Sequence, residues 1–151
     1  MNVKPKTDNA KPVDDLRSRH VRPQEMPWES MRFPGCKTKT LMFDAKSGLA
    51  TVLMTMDPGA TLPDHEHVLI EQTYVLEGTL VDKEGPDTGT EVKAGEFVWR
   101  PAGSRHTAWA PKGCTCLAVF QVPNKFFEAD GKVTDAGGRD WASSWGHVLS
   151  G

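Results

Sequence analysis

The stretch Gly59-Ala-Thr-Leu-Pro-Asp-His65-Glu-His67-Val-Leu-Ile-Glu71, running on to Gly78, decides how the rest of the chain is read. Its counterpart downstream is Gly95-Glu-Phe-Val-Trp-Arg-Pro101-Ala-Gly103-Ser-Arg-His106. His65 and His67 are two residues apart, so on a β-strand both side chains leave the same face. Imidazoles that share a strand face are natural joint ligands for one metal ion, and His106 completes a set of three from a neighbouring strand. The glycines and proline have backbone roles. Gly78 and Gly95 are expected to close hairpins through a positive φ. Pro101-Ala-Gly103 should turn the chain so that His106 enters its strand facing inward. Glu71 is harder to place. At ~3.3 Å per residue a straight strand would carry it ~13 Å beyond His67, too far to share an ion. It can join only if residues 68–70 reverse the chain, and Val68-Leu69-Ile70 contains no Pro or Gly to help. Three histidines with Glu71 outside the ion's reach is therefore a competing arrangement.

Working outward, a chain of 151 residues suits one domain that buries about two-thirds of the surface its unfolded form exposes. A net charge of -2 and a pI near 6.2 give no basic footprint, which argues against a nucleic-acid partner. No apolar run reaches the ~18 residues of a membrane span, and residues 1–15 lack a signal-peptide core. Three cysteines, an odd number, argue against a disulfide scaffold and fit a reducing, cytoplasmic setting. Cys114 and Cys116 have metal-like spacing, but no second Cys or His pair lies nearby, so strand packing is the better reading.

Residues 1–27 read as an arm, charged and broken by proline, with a short helical turn around residues 14–19. Residues 28–122 read as a β-barrel. Lys39-Thr-Leu41-Met-Phe43, Ala50-Thr-Val-Leu-Met-Thr-Met56, Thr73-Tyr-Val-Leu-Glu77, Leu80-Val-Asp82, Glu91-Val-Lys93, Glu96-Phe-Val-Trp99, His106-Thr-Ala-Trp109 and Cys116-Leu-Ala-Val-Phe-Gln-Val122 are short β-prone runs separated by turn residues. Thr73 and Val75 share the face of Glu71, while Tyr74 and Leu76 point away. Trp99, Trp109 and Phe120 are expected in the core or a pocket wall, and Arg105 on the face opposite His106. Residues 123–151 form a tail in which Asp140-Trp-Ala-Ser-Ser-Trp145 makes one or two helical turns, with Trp141 and Trp145 on one side. Short strands with regular turns point to an all-β sandwich or barrel.

The spacing Gly59-x5-His65-x-His67-x3-Glu71-x6-Gly78, then Gly95-x5-Pro101-x-Gly103-x2-His106, resembles the two-part signature of the cupin superfamily. The one departure is Ala110, where an asparagine often stands four residues after the second-motif histidine. The resemblance implies an all-β cupin jelly-roll barrel (a double-stranded β-helix) with an N-terminal arm and a C-terminal helical tail. It implies His65, His67, His106 and Glu71 as metal ligands, with Glu71 either binding the ion or orienting a ligand histidine. Pro58-Gly59, His65-Glu-His67, Tyr74-Val-Leu-Glu-Gly78 and the tail from Phe126-Phe127 to Trp141 further resemble two small cupin groups. These are the acetylacetone-cleaving (β-diketone) dioxygenases and the cupin domain of a zinc-binding anti-sigma factor.

A fold does not specify a reaction. Neutral imidazoles, with or without one carboxylate, leave open positions on a six-coordinate ion, which suits a chelating substrate and O₂ at Fe(II). The expectation is a non-haem Fe(II) dioxygenase that cleaves a C–C bond of a small diketone-like enolisable substrate, with Glu71 in the catalytic group. Protein purified in air is expected to carry Zn(II) in the same site. Two other readings remain: a zinc-binding sensor without catalysis, and a metal-dependent isomerase. Edge strands of an open sandwich need cover, so a homodimer or higher homo-oligomer is expected.

Overall fold

The computed structural model describes residues 16–150. Most of the N-terminal arm lies outside these residues, as does the start of the helical turn expected around residues 14–19. The described residues 16–22 form no regular element, and Pro23–Glu25 makes one 3-10 turn. Eleven strands follow: β1 (Glu29–Ser30), β2 (Cys36–Phe43), β3 (Leu49–Met56), β4 (Ala60–Glu66), β5 (Glu71–Glu84), β6 (Glu91–Lys93), β7 (Phe97–Arg100), β8 (Arg105–Ala110), β9 (Cys114–Gln121), β10 (Lys125–Phe127) and β11 (Val133–Thr134). One helix, α1 (Trp141–Leu149), closes the described chain. Its N-terminus is capped by Asp140, whose carboxylate accepts from the Ser143 amide at 2.9 Å.

All eleven strands form a single curled antiparallel sheet in the order β1-β2-β3-β9-β5-β8-β4-β10-β11, with β6 and β7 also paired to β5. The curl turns the two halves of this jelly-roll toward each other. Phe33, Cys36, Met56, Leu62, Val75 and Cys116 are among the buried side chains that fill the space between them. The alternation that packs this core is visible on β5, where Thr73 and Val75 are buried while Tyr74 and Leu76 are exposed. The three cysteines are free and buried, and burial pushes the Cys36 thiol up to about 11. Among the described residues, no helix is long and apolar enough to cross a membrane.

Two local expectations are corrected. Gly78 closes no hairpin: it lies inside β5, which continues to Glu84. Its φ of 73° marks an irregularity opposite β9, where the register shifts between Val75 and Glu77. A Cβ at position 78 would lie 2.0 Å from the Gly113 carbonyl oxygen, so the close approach of two backbones is what requires glycine. Gly95, with φ 85°, does sit in the turn between β6 and β7. Trp99 is neither core nor pocket wall. It is 57% exposed, because its β7 neighbour Arg100 takes the inward position and strand alternation sends Trp99 outward.

Candidate metal centre

His65 and His106 are direct cross-strand partners, on β4 and β8. A register shift between Leu62 and His65 breaks the even alternation of β4 just before the first histidine. His67 lies one residue beyond the end of β4, and its backbone is tied down on both sides. Its N–H donates to the Ser104 carbonyl at 2.8 Å, and its carbonyl accepts from the Gly103 amide at 2.7 Å. The Pro101-Ala-Gly103 turn thus sets His67 as well as His106. The three imidazoles are 1%, 0% and 6% exposed, and one ligand nitrogen from each lies within 4.8 Å of the others.

The direction of each ring follows from its Nδ1 partner. His65 Nδ1 is 2.8 Å from the Pro63 carbonyl oxygen, which can only accept, so Nδ1 carries the proton. His67 Nδ1 is 3.0 Å from Ser104 Oγ, whose own hydrogen goes to the Pro101 carbonyl at 2.7 Å. Ser104 therefore accepts from His67. His106 Nδ1 is 3.0 Å from Asp82 Oδ1. Burial would raise the Asp82 pKa, but the hydrogen bonds from His106 and Arg100 outweigh it and hold the carboxyl below its ordinary range. Arg100 binds both Asp82 oxygens, at 2.6 and 2.8 Å, so the acceptor is an ionised carboxylate in a buried bidentate pair. His65 and His67 consequently carry their lone pairs on Nε2, and one ring nitrogen of His106 lies within 4.8 Å of a nitrogen on each of them.

That convergence is unfavourable without a cation. His65 Nε2 and His106 Nε2 stand 3.1 Å apart, close enough to share one proton or one metal ion. His67 Nε2 is buried with no hydrogen-bond partner. Burial first, then the neighbouring His106, push the pKa values of His65 and His67 down to about 3, so these two rings are neutral donors. Three converging imidazole nitrogens in a buried setting suit a divalent transition metal ion.

Glu71 does return to the site. Residues 68–69 bend the chain without glycine or proline, and β5 begins at Glu71. Its Oε1 lies 3.7 Å from His67 Nε2. Thr73 Oγ1 donates to Oε1 at 3.4 Å and Asn124 Nδ2 to Oε2 at 3.2 Å. Asp82, Arg100, Ser104 and Asn124 escaped the sequence reading. Asp82 alone left a trace, an acid closing the apolar run Leu80-Val81 and now 2% exposed. Arg105 points away from the site, as its alternation with His106 requires. It pairs with Asp64, holding that carboxyl below its usual range, and lies 3.6 Å over the Phe127 ring.

A cavity of about 770 Å³ opens at Glu71, whose carboxylate neighbours His67, and none of the three histidines lines it. Met31, Phe43, Met54, Phe120, Phe126 and Trp145 form much of its wall, and Glu71 and Asn124 bring polar groups to it. Phe126 links cavity and site, its ring centroid 5.2 Å from that of His65. Phe120 is thus a pocket wall, as expected, while Trp109 is half-buried on β8.

A curled jelly-roll sheet with three inward imidazoles on adjoining strands and a carboxylate beside them defines a cupin with a metal-binding group. The chain belongs to the ChrR Cupin-like domain family, which matches residues 17–125. No protein of curated function matches the sequence. Among solved structures, the fold is similar to a protein of Methylibium petroleiphilum PM1 provisionally named an acetylacetone dioxygenase. That match has 19% identity over 89% of this chain and 99% of the other, with a TM-score of 0.71. It is also similar to an acetylacetone dioxygenase from Acinetobacter johnsonii, at 17% identity over 91% and 99% of the chains and a TM-score of 0.65. The complex of Rhodobacter sphaeroides SigE with the anti-sigma ChrR matches at 25% identity over 66% of this chain and 50% of that chain, with a TM-score of 0.54.

Proposed function

We propose that this cupin is a metal-dependent dioxygenase that cleaves a carbon–carbon bond of an enolisable, diketone-like substrate, with His65, His67 and His106 as the metal ligands. The observation that carries the reading is the convergence of three buried imidazole nitrogens close to Glu71, which lines a mainly apolar cavity. A bound divalent ion supplies Lewis acidity there and, as Fe(II), the electrons for O₂ that redox-inert Zn(II) lacks. The rest is done by the chain. Pro63, Ser104 and Asp82 keep the Nδ1 protons in place and so keep the donor atoms aimed inward. Glu71, the carboxylate beside His67, either completes the ligand set or accepts the proton that an enolisable substrate gives up. The apolar side chains of the cavity give the substrate's carbon skeleton a surface to bury. The resemblance to acetylacetone dioxygenases along nearly the full length of both chains supports this choice of chemistry.

A second reading is favoured by the family match itself, since the ChrR Cupin-like domain takes its name from an anti-sigma protein. In that reading zinc is the working metal and regulation is the output. Metal-free protein, reconstituted anaerobically with Fe(II) or Zn(II), separates the two when O₂ is followed with acetylacetone and aryl-substituted diketones. The dioxygenase reading expects uptake with iron and none with zinc. No uptake above free iron across the whole panel ends it.

The proposal includes a cytoplasmic setting, supported by three free, buried thiols. It also includes a homodimer or higher homo-oligomer. Ile70, Tyr74, Leu76, Phe97 and Trp99 are 43–57% exposed around the outward face of β5 and β7, an apolar area that a second copy would cover. Light scattering at micromolar concentration tests the assembly, and a monomer would count against it.

A further inference from the structure

We infer that Asn124 is a positioning residue for the metal centre: its amide, placed by a strained backbone at Val122, holds the Glu71 carboxylate against His67 Nε2. The inference rests on the metal-site reading above and deepens it. Strand β9 ends at Gln121, and the next residue, Val122, has φ 66°. It is the one non-glycine with positive φ among the described residues. Valine is β-branched and poorly suited to that region, and the following Pro123 narrows its choices further. Such a conformation persists only where its surroundings over-determine it. They do so here. Val122 is 1% exposed, and its N–H donates to the Gly48 carbonyl at 2.9 Å. A Cβ at Gly48 would come within 3.1 Å of the Val122 backbone. On the other side, Trp141 Nε1 donates to the Pro123 carbonyl at 2.8 Å.

The turn redirects the chain from β9 on one half of the sheet to β10 on the other. There Lys125 pairs with Glu66 and Phe126 pairs with His65. Asn124 is the residue held between these two anchors, and its Nδ2 donates to Glu71 Oε2 at 3.2 Å. The carboxylate is divided between two tasks, because the other oxygen, Oε1, lies 3.7 Å from His67 Nε2. His67 carries its proton on Nδ1, toward Ser104, so neither of these two facing atoms donates to the other. Nothing in the metal-free chain rewards that approach, whereas a cation between them would. Asn124, helped by Thr73, is what holds Glu71 in a position that only a metal ion makes favourable. The segment 68–70 contains no proline or glycine that would fix Glu71 from its own side.

The test is a double-mutant cycle read by metal affinity, with Zn(II) and Co(II) alone as probes and a competing chelator. Asn124→Leu, which keeps the bulk and removes the donor, should weaken Zn(II) binding by about 10–100-fold. In a Glu71→Gln background the same change should have almost no further effect. The visible Co(II) spectrum of Asn124→Leu should move toward that of Glu71→Gln, which a purely structural role would not produce. If Asn124→Leu folds poorly, Asn124→Ala supplies the same cycle. An equal loss of affinity in both backgrounds, or no loss beside native Glu71, overturns the inference alone. A native protein that binds neither ion overturns the metal-centre reading, and this inference with it.

Discussion

Mild acid should destabilise the metal-free protein well before any carboxylate titrates. His65 and His67 have native pKa values near 3, pushed down by burial first, against about 6.5 in the unfolded chain. The sign follows from that order. Above pH 6.5 both states are neutral and the stability is fully present. As pH falls below 6.5 the unfolded chain takes up protons that the native site refuses, and stability drops until about pH 3. Each histidine contributes about 1.4 kcal/mol between pH 7.5 and 5.5, so the two together remove about 3 kcal/mol. With a urea slope of about 2 kcal/mol per molar, the unfolding midpoint should fall by about 1–2 M. Asp64, Asp82 and Asp135 all have lowered pKa values, so their contributions disappear only at lower pH, outside this window. The assay is urea unfolding of chelator-treated protein at the two pH values, with His65→Leu as the control. That variant should show about half the midpoint shift. An unchanged native midpoint, or a full shift in His65→Leu, would refute the account: the native site would then accept protons as readily as the unfolded chain.

Arg100→Met should cost about 3–5 kcal/mol in denaturant unfolding, because it strands the Asp82 carboxylate in the interior. The matching change at exposed Lys93 should stay within about 1 kcal/mol. The cavity predicts a size preference. Its 770 Å³ is the volume of about 25 waters, so acetylacetone alone would leave most of it unfilled. Met54→Trp should weaken binding of an aryl-substituted diketone at least tenfold and leave acetylacetone little changed, as read by calorimetry.

What the sequence made legible was whatever depends on local spacing. The i, i+2 histidines, the Pro101-Ala-Gly103 turn and the alternation of Thr73 and Val75 against Tyr74 and Leu76 were all readable in advance. What it hid depends on approach between distant segments. Gly78 looks like a hairpin glycine until Gly113 is seen packed against it. The return of Glu71 is invisible in Val68-Leu69-Ile70, because its partner Asn124 lies 53 residues further on. Asp82, Arg100 and Ser104 orient the histidines through hydrogen bonds that leave no spacing pattern. Trp99 was misplaced because aromatic bulk suggested burial, while strand parity, fixed by inward Arg100, decided otherwise.

Strand β5 is hydrogen-bonded along its length to β6, β7, β8 and β9, carrying Glu71 at one end and Asp82 near the other. Both acidic groups of the site therefore belong to the part of the molecule with the most to lose on opening, where amide hydrogens exchange last. Access to the cavity cannot come from that strand yielding. The crossing at residues 122–124 is anchored as well, which leaves the wall where helix α1 brings Trp145. The two carboxylates and the amide that steadies one of them thus share the tied side of the molecule, apart from the helical wall that borders the cavity.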